Sequence, residues 1–226
     1  MERKDKIVAV VPVYNEENKI SDTIEGLKLI NAIDNIIVVD DGSTDKTYNI
    51  IKQLGVNIIK LEKNSGKGYA IKSAIKNLEY EYLALVDGDL GKSSYEIEKL
   101  IDPVVNGEVD VTIAKFPPAK KKGGFGFVKK LAKNGIKYYT GTEINSGLSG
   151  QRVYKREVIE DINNIPDTFG IEVAMTVETL RKGYSIKEVD VNMTHDETER
   201  DIKGFYHRGK QFLNILWTLI KLGIRR

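Results

Sequence analysis

The residues best suited to chemistry are acidic pairs that follow hydrophobic, strand-like segments. Asp87 and Asp89 are separated by one glycine, directly after the run Tyr82–Val86. Carboxylate oxygens suit Mg²⁺ or Mn²⁺, which commonly shares them with the phosphates of a substrate. A metal ion held there would neutralise charge growing on a departing diphosphate. The same tripeptide also forms solvated tight turns, so its position in the fold decides between the two interpretations.

A second acidic cluster, Asp40–Asp45, follows another predicted strand. One residue of this cluster suits the N-cap of the next helix, but capping does not explain Asp40 and Asp41, which could accept hydrogen bonds from a base edge or a ribose. The glycine-rich, basic segment Asn64–Gly68 could contact phosphate, although it lacks the Walker A spacing. No Gly-x-Gly-x-x-Gly segment follows the first strand, which argues against a dinucleotide-dependent oxidoreductase.

The elements that must position these residues alternate regularly in the first half of the chain. Hydrophobic runs predict four strands with helices between them: strands Lys6–Pro12, Asn35–Val39, Asn57–Leu61 and Tyr82–Val86; helices Glu16–Leu29, Lys46–Leu54 and Gly68–Leu78. This alternation predicts an α/β fold with a mostly parallel sheet that is covered on both faces. Ligands of such sheets bind at the carboxyl ends of the strands, where four polar segments converge: 12–16, 40–45, 63–68 and 87–89.

The second half is less regular. Its predicted elements are helices Ser94–Val105, Phe125–Thr140, Ile171–Lys182 and Gly204–Ile224 and strands Val109–Ala114, Leu148–Tyr154 and Ser185–Asn192. Since we find no internal repeat or linker, we predict one domain over residues 1–204 and an amphipathic C-terminal helix over 205–226.

The composition fits a folded α/β protein. The chain has 226 residues, of which 41% are hydrophobic and 30% charged, and a net charge of +2. The absence of cysteine excludes disulfides and thiolate metal sites. The apolar run Ile7–Val13 is short for a signal peptide, and no stretch approaches the ~20 apolar residues that span a bilayer. We therefore predict a cytoplasmic protein.

A one-sided basic region and an amphipathic tail suggest the acceptor side. Between Asp110 and Glu143 the chain carries eight lysines and no acidic residue, with phenylalanines among them. This region is either a solvated face or a surface for an anionic membrane or a phosphate-bearing acceptor. The tail, with Trp217, either docks on the sheet or lies among lipid headgroups. Nucleic acid is disfavoured because the aromatic residues form no stacking platform on strands.

The four polar segments together resemble family 2 glycosyltransferases with the GT-A fold. The residues that carry the resemblance are Val11–Glu17, Val39–Asp45, Asn64–Gly68 and Asp87–Asp89. It covers residues 7–90 and implies a Rossmann-like three-layer sandwich that binds a nucleotide diphosphate sugar. The resemblance implies that the nucleotide sugar is bound by Pro12, Tyr14, Glu16, Asp41, Lys67 and Asp87. It also implies that Asp87 and Asp89 hold the metal and the diphosphate, with Asp89 as the catalytic metal ligand.

Two further segments indicate alternative acceptors. Asn145–Tyr154 is similar to polyprenyl-phosphate sugar synthases, although Asn145 and Leu148 depart from their pattern. Phe169–Val173, followed by Met193-Thr194-His195, is similar to glucosyl-3-phosphoglycerate synthases, in which a late histidine joins the metal. The first resemblance implies a lipid phosphate as acceptor and the second a small phosphorylated molecule.

Several side chains of the second half are candidates for this chemistry. Glu172, at the start of a predicted helix, is either a base near the acceptor oxygen or an acid that favours the helix dipole. His195 is either a further metal ligand or an exposed histidine. We predict that the phosphates of acceptor or donor are contacted by Arg152, Arg200 and Lys129.

These observations predict a glycosyltransferase that moves a hexose from a UDP- or GDP-linked sugar to a membrane-proximal acceptor, such as a polyprenyl phosphate or a cell-envelope glycan. Such an acceptor would make it peripheral at the inner face of the cell membrane. The alternatives are an enzyme with a small phosphorylated acceptor and a non-catalytic nucleotide-sugar-binding module. A phospho-receiver domain is disfavoured because its acidic pair follows the first strand, whereas here the pair follows the second.

Overall fold

Seven strands form one sheet in the computed structural model, which describes residues 6–76, 78–117, 126–162, 166–167, 170–194 and 202–224, without the side chains of 202–211 and 224. The strands are β1 Ile7–Val13, β2 Asn35–Asp40, β3 Asn57–Lys60, β4 Tyr82–Leu85, β5 Val111–Lys115, β6 Arg152–Lys155 and β7 Ile186–Asp190. Their spatial order is β3-β2-β1-β4-β6-β5-β7. Among these strands only β6 runs antiparallel to its neighbours, which confirms the predicted mostly parallel sheet.

Helices cover both faces of the sheet. They are α1 Ile20–Lys28, α2 Thr47–Gln53, α3 Lys67–Ile75, α4 Glu98–Val105, α5 Phe127–Thr140, α6 Arg156–Asp161, α7 Ile171–Arg181 and α8 Ile202–Ile224, with a 3-10 helix at Gly91–Ile97. On β1, Val8 and Val10 belong to the core shared with α3 and α5–α8, whereas Ile7 and Ala9 belong to the core shared with α1, α2 and α4. A strand buried on both faces reads as a continuous hydrophobic run. The predicted three-layer sandwich is confirmed.

The parallel pairing brings the polar segments to one edge. Strand β1 lies between β2 and β4, with Val13 opposite Asp40 in the β1–β2 pair. Because β1 to β4 all run in the same direction, the loops that follow them share the carboxyl edge of the sheet. From β1 the chain continues to β2 on one side, whereas β4 pairs with the other side of β1. This reversal of strand order is a topological switch point, where open α/β sheets bind ligands.

The structure shortens some predicted elements because side chains engage the backbone. The first helix begins at Ile20 and not at Glu16, since the amides of Glu16 and Glu17 donate to the side chains of Thr47, at the start of α2, and Asp45, in the loop before it. The strand predicted from Leu148 begins at Arg152, whose guanidinium binds two carbonyls of the preceding turn. Helix α6 has six residues, too few for a periodic pattern to predict it.

The last helix docks on the domain through one face. Ile215, Leu219 and Leu222 are buried in the core formed with α5 and α7, and the Tyr139 hydroxyl donates to the Leu219 carbonyl at 2.8 Å. At Gly135 a β-carbon would collide with Leu219, so this glycine lets α5 and α8 approach closely. Within the described residues, no helix is both long and apolar enough to cross a membrane. The boundary predicted after residue 204 remains a prediction, although α8 begins at Ile202.

Candidate active site

Hydrogen bonds join the loop after β1 to the loop after β2. The side-chain oxygen of Asn15 accepts from the Thr44 amide at 2.8 Å, and the Ser43 hydroxyl accepts from the Asn15 amide at 3.0 Å. Asn15 has a φ of 56°, a left-handed conformation that asparagine tolerates better than most residues. The Glu16 amide donates to Thr47 Oγ1 at 2.8 Å. These bonds hold Tyr14, which is exposed, at the rim of the shared edge.

The β2 end uses its two aspartates differently. Asp41 is only 4% exposed, and its two oxygens accept from the amides of Ser65 and Gly66, both at 2.8 Å. It therefore anchors the glycine-rich loop that precedes α3. Asp40 accepts from the Ser43 amide through Oδ1, whereas its buried Oδ2 has no hydrogen-bond partner among the described residues. The predicted contact of Asp41 with a nucleotide remains a prediction.

A lysine joins two carboxylates from opposite halves of the chain. Lys67 Nζ, at the start of α3, lies 2.6 Å from Asp87 Oδ1 and 2.9 Å from Glu172 Oε1. Burial opposes the charge of Lys67, but the negative charges of Asp87 and Glu172 outweigh it and raise the pKa of the lysine. Lys67 consequently stays protonated throughout the neutral range. The structure brings these three predicted site residues together.

Hydrogen bonds to a side chain of α1 hold the turn that carries Asp87 and Asp89. The buried hydroxyl of Thr23, on α1, donates to the Gly88 carbonyl at 2.8 Å and accepts from the Gly91 amide at 2.9 Å. At Gly88 a β-carbon would press against Val13, which explains why the residue between the aspartates is a glycine. Asp89 is half-buried at the β4 end, beside the loops that follow β1 and β2.

The second half of the chain reaches this edge through the start of α7. The Asp167 carbonyl accepts from the amides of Gly68 and Tyr69, at 2.9 and 3.3 Å. A β-carbon at Gly68 would collide with the Pro166 carbonyl, so glycine is needed for the segment 166–167 to cover the N-terminus of α3. Glu172 lies in the first turn of α7, a short distance beyond this cover.

Arg152 supports the site from within the core and does not line its surface. It is 1% exposed, and its guanidinium donates to the carbonyls of Gly147 and Ser149, to Tyr154 and to Thr176. All of these are neutral acceptors inside the fold. The predicted contact of Arg152 with an acceptor phosphate is therefore corrected to a structural role, because the side chain is buried and already bonded on each nitrogen.

The remaining predicted site residues either lie apart from the cluster of Lys67, Asp87 and Glu172 or fall outside the described residues. Lys129 is exposed on α5, on the basic face that the sequence indicates. Pro12 is half-buried near the end of β1, next to the loops that follow β1 and β2. His195 and Arg200 lie outside the described residues, so their predicted roles remain predictions.

The sequence interpretation missed Gln151. Its side chain is 2% exposed, and Nε2 donates to Asp87 Oδ2 at 2.9 Å. A glutamine inside a predicted strand carries no pattern that would single it out. Its importance comes from the antiparallel pairing of β6 with β4, which the sequence does not reveal.

The acidic groups at this edge fit a divalent cation only if a substrate completes its coordination. No group of three or more histidine, cysteine, aspartate or glutamate side chains suited to a metal occurs among the described residues. Mg²⁺ is commonly bound through one or two carboxylates together with substrate phosphates. Asp89, with Asp87 next to it, matches that donor set.

Comparisons with known proteins agree with this fold. The sequence profile of Glycosyl transferase family 2 matches residues 8–163. Glycosyltransferase AglJ of Haloferax volcanii is 28% identical over 191 residues, which span 81% of this chain and 61% of that protein. Dolichol-phosphate mannosyltransferase of Pyrococcus furiosus is 28% identical over 204 residues, which span 84% of this chain and 56% of that protein.

A solved structure establishes the fold. Glucosyl-3-phosphoglycerate synthase from Mycobacterium tuberculosis, in complex with Mn²⁺, UDP-glucose and phosphoglyceric acid, superposes with a TM-score of 0.82 at 21% identity. The match covers 96% of this chain and 79% of that one. The fold described above is thus the GT-A fold predicted from the sequence.

Proposed function

Because the chain belongs to glycosyl transferase family 2, we propose that it transfers a hexose from a UDP- or GDP-linked sugar to a phosphate-bearing acceptor at a membrane surface. The observation that carries the proposal is the cluster of Lys67, Asp87 and Glu172 beside Asp89. It combines a permanent cation with carboxylates at the switch point of the sheet. A nucleotide diphosphate needs both a positive partner for its phosphates and ligands for its metal.

In this proposal Asp89, with His195 assisting, would hold Mg²⁺ or Mn²⁺, which would supply positive charge for the leaving diphosphate. The base and ribose lie against Pro12, Tyr14, Glu16 and Asp41. Lys67, held between two carboxylates, orients Asp87 and Glu172 towards the donor. The mycobacterial synthase of the same fold forms a complex with Mn²⁺ and UDP-glucose, which supports this choice of ligands.

The state of Glu172 favours an acceptor that attacks through a phosphate oxygen. A hydroxyl acceptor needs a base to take its proton, whereas a phosphate is already ionised at neutral pH. Glu172 is engaged with Lys67 at 2.9 Å, which fits an acceptor that needs no base. The Pyrococcus furiosus relative is a dolichol-phosphate mannosyltransferase by name, which also supports a lipid phosphate as the acceptor.

Calorimetric titration of UDP and GDP, each with and without Mn²⁺, tests the donor site. We expect one nucleotide to bind with a clear dependence on the metal, since its diphosphate completes the coordination. Turnover of a sugar donor would then exclude the alternative of a non-catalytic binding module. Folded protein that binds neither UDP nor GDP, in the presence of Mn²⁺ or of Mg²⁺, would contradict the proposal.

A surface on α8 supports attachment to a membrane. Its outer stripe, defined as Leu213, Leu216, Trp217 and Ile220, is exposed, with Trp217 58% and Leu213 64% exposed. This stripe lies opposite the face that docks on α5 and α7. The neighbouring helix α5 carries Lys129, Lys130, Lys133 and Lys137, and Lys221 lies 5.7 Å from the Trp217 ring. Aromatic and aliphatic side chains flanked by lysines suit an anionic bilayer surface.

Trp217 is the only tryptophan of the chain, so its fluorescence reports directly on this surface. We expect a blue shift with vesicles that contain phosphatidylglycerol, weakened by salt and absent with phosphatidylcholine alone. The double substitution Leu213→Gln and Ile220→Gln should weaken binding at least about tenfold, because each removes a side chain that insertion would bury. Leu29→Gln, at an exposed leucine after α1, is the matched control. Equal binding of the double variant and the wild type would exclude this surface.

A small phosphorylated acceptor remains the second candidate, because the mycobacterial synthase forms its complex with phosphoglyceric acid. Transfer to such a molecule in the absence of lipid would favour it. In that case the outer stripe of α8 would not respond to vesicles.

A further inference from the structure

Asp87 is held through both of its carboxylate oxygens by residues from two different elements. Lys67 of α3 contacts Oδ1 at 2.6 Å, and Gln151, which immediately precedes β6, donates to Oδ2 at 2.9 Å. Two donors on opposite sides fix the rotation of the carboxylate about its last bond. An ion pair by itself fixes such a rotation less well, since either oxygen can face an ammonium.

The surroundings of Gln151 fix the orientation of its amide. The side chain is almost fully buried, and the Ser149 hydroxyl lies 3.4 Å from Oε1, where it can donate. The NH₂ group therefore faces Asp87. The backbone is also fixed, because the Gln151 carbonyl accepts from the Ala114 amide of β5 at 3.0 Å. Gln151 is thus a rigid donor on the central sheet.

The glycine before Gln151 belongs to the same arrangement. At Gly150 a β-carbon would collide with both Asp87 Oδ2 and Lys67 Nζ. The backbone at this position must approach the ion pair closely for the Gln151 amide to reach the carboxylate. A close approach of backbone is one of the conditions that require glycine.

The choice of a neutral donor has an electrostatic consequence. Asp87, Glu172 and Lys67 together carry one net negative charge, and Gln151 adds none. A lysine or arginine in this place would cancel that charge and compete with a cation for Asp87. An amide orients the carboxylate and preserves its charge for the ligand.

Building on the proposed function, we infer that Gln151 is a positioning residue for the donor site, which presents Asp87 in the orientation that the metal–diphosphate unit requires. Without the amide, Asp87 loses the donor that faces Oδ2, and its bound orientation is held less strictly. The carboxylate of Asp87 would then adopt several orientations in the free protein, and the nucleotide would bind only to molecules in one of them. Affinity falls by the fraction of molecules in the competent state.

The test is calorimetric titration of UDP and GDP, each with Mn²⁺, into the wild type and Gln151→Met, which keeps the length of the side chain and removes the donor. We expect the variant to bind the preferred nucleotide about tenfold more weakly, the usual scale for one lost hydrogen bond to a charged group. If Gln151→Met fails to fold, Gln151→Asn replaces it with the same expectation, because its amide is one methylene too short to reach Asp87.

A control variant that loses a buried hydrogen bond away from the site separates a positioning role of Gln151 from a general loss of stability. Thr112 is buried on β5 and donates to the Leu100 carbonyl at 2.7 Å, beneath α4 and away from the site. Thr112→Val should lower the melting temperature and leave nucleotide affinity unchanged. Wild-type affinity in the Gln151 variant, or an equal loss in Thr112→Val, would overturn the inference. Absence of binding by the wild type would overturn the proposed function, and the inference with it.

Discussion

Replacement of Asp89 by alanine is expected to abolish metal-dependent binding of the donor nucleotide and to lower turnover by at least about a hundredfold, the usual effect of removing a group that stabilises developing charge. Asp89 follows β4 at the switch point of the sheet, and it is the carboxylate that we propose as metal ligand. Its loss leaves the diphosphate without the cation that offsets its charge. Calorimetry with and without Mn²⁺ measures the first effect, and donor turnover the second.

Asp102→Ala is the matched control for this change. Asp102 is exposed on α4, within the helix layer that also contains α1 and α2. The control should bind the nucleotide and turn over as the wild type does, with an unchanged circular dichroism spectrum in both variants. If Asp89→Ala keeps metal-dependent binding and its rate, the assignment of Asp89 is incorrect.

Replacement of Lys67 by methionine should have the second large effect, on both stability and binding. The change leaves Asp87 and Glu172 facing each other without the ammonium that both now contact. Loss of one partner from a partly buried ionic cluster costs about 1–3 kcal/mol, which lowers the melting temperature by several degrees. Nucleotide affinity should fall at least about tenfold, because a charge-assisted contact to the diphosphate site is lost as well.

Two further variants separate these effects. The double substitution Lys67→Met and Glu172→Gln removes the repulsion between the carboxylates and should recover much of the stability, but not the nucleotide affinity. Lys72→Met, five residues further along α3, removes an exposed ion pair with Asp167 and should cost little, as exposed pairs usually do. If Lys67→Met matches Lys72→Met in both melting temperature and affinity, the cluster has neither role.

The docked helix α8 links the fold to the choice of acceptor. Its buried face, with Ile215 and Leu219, belongs to the core, whereas its outer stripe faces solvent. Of the two interpretations of this helix from the sequence, docking on the domain is observed, whereas contact of the outer stripe with a membrane remains a proposal. A helix anchored in this way would present the basic surface of α5 and the outer stripe to a bilayer together.

The sequence by itself determined the first half of the fold and the edge that carries the site. Strands β1 and β2 are nearly continuous runs of β-branched residues because both of their faces are buried, and their hydrophobic pattern is local. Since parallel strands place their carboxyl ends together, the order of elements was enough to predict that Asp41, Lys67 and Asp87 would share one edge. Local pattern and topology agree in this region.

Only the tertiary structure decided the contacts between the halves. Glu172 reaches Lys67 across 105 positions of the chain, and Gln151 reaches Asp87 because β6 pairs antiparallel with β4. Neither contact leaves a periodic signal, since each depends on one side chain and on strand pairing. Arg152 was predicted to contact a phosphate, yet in the structure it is buried among neutral acceptors. The types of the residues were visible in the sequence, whereas their partners depended on packing in three dimensions.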